Sequence, residues 1–110
     1  MSDVFTAIPQ AIEAIRQGRI IILIDDEDRE NEGDFVCAAE LANAAAVNFM
    51  ISMGRGQLCM PILPEISQRL ALHPMVEANT APLGTNYTVP VDHRSTRTGI
   101  TAAERARTIL

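Results

Sequence analysis

Ile20-Ile21-Ile22-Leu23-Ile24, followed at once by Asp25-Asp26-Glu27-Asp28-Arg29-Glu30-Asn31-Glu32-Gly33-Asp34, organises the whole chain. Five consecutive apolar residues, four of them β-branched, predict a strand buried on both faces. The next ten residues hold seven carboxylates and one arginine. Like charges at that density repel, so a folded domain that keeps them needs a compensating cation. Hard divalent metals take carboxylate oxygens and are the natural candidate.

Outward from this stretch, residues 7–17 predict an amphipathic helix. Ile8, Ala11, Ile12 and Ile15 recur at helical spacing, Pro9 suits the first turn, and Gly18 ends it. The acidic run forms a loop, with Gly33 allowing a tight turn. A second strand is expected over 35–39. Residues 43–53 predict a helix capped by Asn43, with Ala46, Phe49, Met50 and Met53 on one face. Gly54-Arg55-Gly56 breaks it. Residues 57–60 read as a third strand stopped by Pro61, 64–72 as a short helix, and 73–86 as a long loop of the kind that often carries function. Residues 87–91 read as an edge strand, because Pro90 cannot donate to a ladder. Thr101-Ala102-Ala103-Glu104 is a capping box, so a helix starts at Ala102. A capped helix that reaches Ile109-Leu110 after two turns is the pattern of a chain cut short. The expected class is α/β of the α+β type, a mixed β-sheet flanked by helices in an incomplete single domain.

Composition narrows the function. The chain has 110 residues, 47% of them hydrophobic, with 4% aromatics and no tryptophan. Its core must be aliphatic. A net charge of −5 argues against nucleic acid as a partner, since that partner requires a basic face. One arginine beside a metal still suffices for a phosphorylated small molecule. Cys37 and Cys59 sit in apolar surroundings outside any CxxC pair and read as buried, reduced thiols. The start of the chain has no basic segment leading into an apolar one, and no apolar run exceeds five residues. The expectation is a cytoplasmic protein with no signal peptide and no membrane partner.

Three readings compete for the acidic run. It can be a solvated charged turn. It can be a calcium loop, since Asp28, Glu30, Glu32 and Gly33 match positions one, three, five and six of an EF-hand; Ala39 stands where the twelfth-position glutamate is required. It can be catalytic. In an extended segment Glu30, Glu32 and Asp34 project to one side. They then combine a metal ligand with a proton donor or acceptor, and Arg29 supplies a fixed cation for a phosphate or enediolate oxygen. Ser95-Thr96-Arg97-Thr98-Gly99, ahead of the capping box, is either a plain cap or a phosphate site at a helix N-terminus. Gly54-Arg55-Gly56 reads as a turn, and His73 and His93 read as surface histidines.

The run at 25–34 resembles the signature of the 3,4-dihydroxy-2-butanone 4-phosphate synthases. The likeness continues through 54–59, Pro74-Met75-Val76-Glu77, Asn79-Thr80 and Thr98-Gly99-Ile100-Thr101-Ala102-Ala103-Glu104-Arg105. It implies conversion of ribulose 5-phosphate to 3,4-dihydroxy-2-butanone 4-phosphate and formate in riboflavin biosynthesis. The route runs through an enediol, loss of water, a skeletal shift and loss of C4. It implies Mg2+ or Mn2+ as cofactor and a homodimer. It implies Glu30 as metal ligand, with Glu30, Glu32 and Asp34 catalytic and Arg29, Glu30, Asp34 and Thr98 on the substrate. Family members run to roughly twice this length, and their second half brings a metal-binding histidine and a further essential glutamate. The resemblance therefore implies an N-terminal half (1–110) that is inactive alone. A non-catalytic acidic module that binds metal or a basic partner is the competing class.

Overall fold

The computed structural model describes residues 4–110; residues 1–3, the start of the stretch read for a leader, lie outside the described residues. Helix α1, Ile8–Arg16, opens after extended Ala7 with proline in its first turn. It closes where Gly18, at φ +75°, donates its N–H to the Ile15 carbonyl at 2.9 Å. Strand β1, Ile21–Ile24, pairs antiparallel with β2, Gly33–Val36, in the register Ile21 to Val36 and Ile24 to Gly33. A 3-10 turn, Ala39–Leu41, leads into α2, Ala44–Phe49, which runs on as a π-type turn, Met50–Gly54. Helix α3 is Pro64–Arg69 and α4 is Ala102–Ile109.

The core sits where α2 packs on α4. Val47 and Ala106 are buried there, together with Ala42 at the entry to α2. The small side chain at 106 lets the two helices approach closely. Asn43 caps α2, its side-chain oxygen accepting from the Ala46 N–H at 2.9 Å. Phe35 on β2 meets Phe49 at the end of α2, with ring centroids 5.2 Å apart and the planes tilted by 56°. That contact ties the hairpin, and with it the acidic loop, to the helical layer. Gly54 lies under the same ring, where a Cβ would come within 3.2 Å of Phe35.

The arrangement is α+β, as the pattern of elements predicts. The sheet among the described residues is an antiparallel pair rather than a mixed sheet. Strand β1 also departs from expectation. Ile22, Leu23 and Ile24 are 62%, 57% and 53% exposed, so neither face of the strand is covered. Residues 57–60 form no strand. Residues 87–91 form only a bridge between Thr88 and Pro74, closed by bonds from Met75 N to Tyr87 O and from Val89 N to His73 O, 2.8 Å each. Both segments adjoin prolines, which remove the donors a ladder requires.

Candidate active site

The acidic loop spans the turn of the β1–β2 hairpin. It is folded rather than extended, which corrects the alternating geometry expected from its sequence. Asp26 starts the fold: its carboxylate accepts from the Asp28 N–H at 2.8 Å, and its carbonyl accepts from Arg29 N at 3.0 Å and Asn31 N at 3.3 Å. The left-handed residue is Asn31, at φ +51°, and not Gly33. Asparagine tolerates that region better than most residues. Gly33 is the first residue of β2, and a Cβ there would come within 3.2 Å of Ile22. Its role is close packing.

Asp25 closes the loop. One carboxylate oxygen accepts from Arg29 Nη1 and from the Glu30 N–H, both at 2.9 Å; the other accepts from the Glu32 N–H at 2.8 Å. These bonds hold the Asp25 carboxyl below its ordinary range, the Glu32 N–H first, then that of Glu30, with Arg29 adding to them. Two of the seven carboxylates, Asp25 and Asp26, are therefore met by the loop's own N–H groups. Arg29 also pairs with Glu30 at 2.9 Å through the same Nη1, so neither contact uses its Nε or Nη2.

Arg29, Glu30, Glu32 and Asp34 all line one cavity of about 880 Å³. Cys59 and Tyr87 line it too, and so does Thr85 from the loop at 73–86. Sequence reading passed over Tyr87, and its only signal was an isolated tyrosine in an apolar segment. The neighbouring Cys59 side chain raises the Tyr87 phenol above its usual range, and the negative charges of Glu30 and Asp34 add to the effect. Cys59 is thus exposed on the cavity wall, not buried as expected; Cys37 is half-buried, and its thiol is pushed up by burial.

Thr98 does not line this cavity. It precedes α4, where its hydroxyl donates to Glu104 Oε2 at 3.3 Å and the Arg97 N–H donates to Oε1 at 2.7 Å. The capping box forms as expected on one side, the Thr101 hydroxyl accepting from the Glu104 N–H at 3.2 Å. The Glu104 carboxylate reaches back to residues 97 and 98 and braces the segment in front of the helix. His93 stays at the surface, its Nδ1 2.8 Å from the Ser95 hydroxyl.

Among the described residues no three His, Cys, Asp or Glu side chains converge as a metal cage. Mg2+ does not need one. It binds through one or two carboxylates and completes its shell with water and substrate oxygens. Glu30, whose side chain is 39% exposed and whose Oε1 pairs with Arg29, fits such a partial donor set better than Asp25, whose carboxylate already accepts three N–H bonds.

This geometry has relatives. Residues 9–110 match the family model for 3,4-dihydroxy-2-butanone 4-phosphate synthase. The chain belongs to that family. It is 53% identical over 105 residues to the riboflavin biosynthesis protein RibBA of Bacillus subtilis and 54% identical to that of Bacillus velezensis. Each comparison covers 96% of this chain and 26% of the relative. Among solved structures, a 3,4-dihydroxy-2-butanone 4-phosphate synthase in complex with two magnesium ions superposes with a TM-score of 0.89 at 43% identity, covering 96% of this chain and 50% of that one. RibBX, a two-domain synthase from A. baumannii, gives 0.83 at 44% identity, covering 94% and 31%. The chain thus spans about a quarter of the curated relatives and half of the first synthase. No helix among the described residues is long and apolar enough to cross a membrane.

Proposed function

We propose that these residues form one side of a synthase site that converts ribulose 5-phosphate to 3,4-dihydroxy-2-butanone 4-phosphate and formate for riboflavin biosynthesis. The carrying observation is that Arg29, Glu30, Glu32 and Asp34 share one cavity wall in a chain of this family. In this reading 1–110 is the N-terminal half of the catalytic domain, and the whole protein works as a cytoplasmic homodimer. Glu30 is the metal ligand. Bound Mg2+, or Mn2+, stabilises negative charge on adjacent sugar oxygens. The remaining steps fall to the side chains. Arg29 holds an anionic oxygen with the donors that Asp25 and Glu30 leave unused. Asp34, fixed on β2 opposite Leu23, orients a substrate hydroxyl. Glu32, whose own N–H is fixed by Asp25, moves the proton between carbon and oxygen as the enediol forms. Thr98 lies outside this cavity, and its assigned place at the phosphate requires the substrate to extend toward the start of α4.

The purified chain is tested with ribulose 5-phosphate and Mg2+. The half-site reading expects no formate, with weak metal binding that Glu30→Ala abolishes and a sugar-phosphate response that Arg29→Ala abolishes. Formate release by these 110 residues alone overturns it. A calcium response indifferent to Arg29 identifies the non-catalytic acidic module instead.

A further inference from the structure

We infer that Asp25 is a positioning residue, whose carboxylate sets the loop conformation that presents Glu30 and Glu32 to the cavity. The two N–H groups it receives flank Asn31, the left-handed residue of the loop. Backbone turned this way makes a concavity of N–H groups that binds anions. Here the anion is the chain's own side chain. Asp25 is well placed for this, because it directly follows Ile24, and Ile24 pairs with Gly33. The carboxylate is thus anchored at the rigid end of the hairpin, and the Asp25 N–H also donates to the Glu32 carbonyl at 3.3 Å. Its side chain is 21% exposed, against 54% for Arg29 and 39% for Glu30. The hub is sheltered and the groups it orients are open. Neither Asn nor Glu reproduces it. Asparagine turns an NH2 group against one of the donors, and glutamate is one methylene too long to reach the same N–H groups from the strand end.

The test reads the loop and the metal separately. In the 15N-labelled chain, Asp25→Asn moves the Glu30 and Glu32 amide signals and speeds their exchange, while Val47 and Ala106 keep their wild-type signals and so report an intact fold. Asp26→Asn, which touches only the Asp28 N–H, leaves the amides of 30 and 32 in place. Unchanged amides in Asp25→Asn overturn the inference, and so does full recovery in Asp25→Glu, which would make charge rather than geometry the cause. The second arm rests on the reading of Glu30 as metal ligand. Mn2+ titrated alone broadens the Glu30 amide in the wild-type chain at concentrations about tenfold or more below those required in Asp25→Asn, the usual loss when a ligand's support is removed. Equal Mn2+ affinity overturns the positioning role. No broadening in either protein removes the metal reading and leaves the amide result to decide the loop.

Discussion

Gly99 is buried at φ +70°, and the Asp92 carboxylate fills the space a Cβ would need. Gly99→Ala therefore meets a backbone penalty at this positive φ, and the exposed Asp92 side chain must also swing aside. We expect a loss of about 1–3 kcal/mol in urea unfolding. Gly56→Ala is the control: nothing lies within 4 Å of its Cβ position, and it should stay within about 0.5 kcal/mol. Two carboxylates also tie stability to pH. Asp25 and Glu104 are both held below their ordinary values, Glu104 chiefly by the Arg97 N–H and then by the Thr98 hydroxyl. A depressed folded-state pKa stabilises fully above the unfolded-state value, near 4. That stability is lost as pH falls from there through the folded value. The urea midpoint should be flat from pH 7 to 5 and fall below about 4; Asp25→Asn and Glu104→Gln should each flatten the fall. An unchanged acid limb in both variants would refute the assignment. The capping box at Thr101 was legible in four letters, because its partners lie within one turn. The Asp25 hub was not, because its donors converge only once Asn31 turns left-handed.

At the scale of elements, helix ends were the most readable. Proline at the start of α1, Gly18 after its end, and Asn43 before α2 all act through neighbours a few residues away. Asn43→Ala should lower stability by about 1 kcal/mol, the common cost of a lost N-cap, while Asn43→Asp should hold it; equal thermal midpoints for Asn43→Ala and wild type would contradict the cap. Strands were less readable. The apolar run at 20–24 has the same composition whether or not anything covers it, and its burial depends on partners distant in sequence. Residues 57–60 have the letters of a strand but no partner among the described residues. The helix expected over 43–53 begins where it should, yet changes to a π-type turn at Met50. That shift leaves Gly54 beneath the Phe35 ring, a contact no local pattern specifies.

The whole molecule is open for its length. Its radius of gyration is 15.7 Å, with extents of 49 × 33 × 26 Å, against about 13 Å for a compact domain of this size. Only three hydrophobic residues are buried among those described, and Ile8, Ile22, Leu23 and Leu63 are among many left open. Apolar surface of this extent favours association. The isolated chain should therefore sediment as concentration-dependent species and bind a hydrophobic dye. A sharp monomer boundary at every concentration would refute that. The same openness supports the reading of 1–110 as one half of a catalytic domain.

The order of residues alone settles the family, the helix caps and the concentration of carboxylates after β1, because each depends on neighbours along the chain. Which carboxylates face the cavity is settled elsewhere. Asp25 turns inward onto backbone N–H groups, Glu30, Glu32 and Asp34 turn outward beside Cys59 and Tyr87, and Thr98 is kept apart by Glu104. Those outcomes depend on groups that meet only when the hairpin closes and α2 packs on α4. Hydrogen bonds and burial depend on distance in space, and distance along the chain does not specify it.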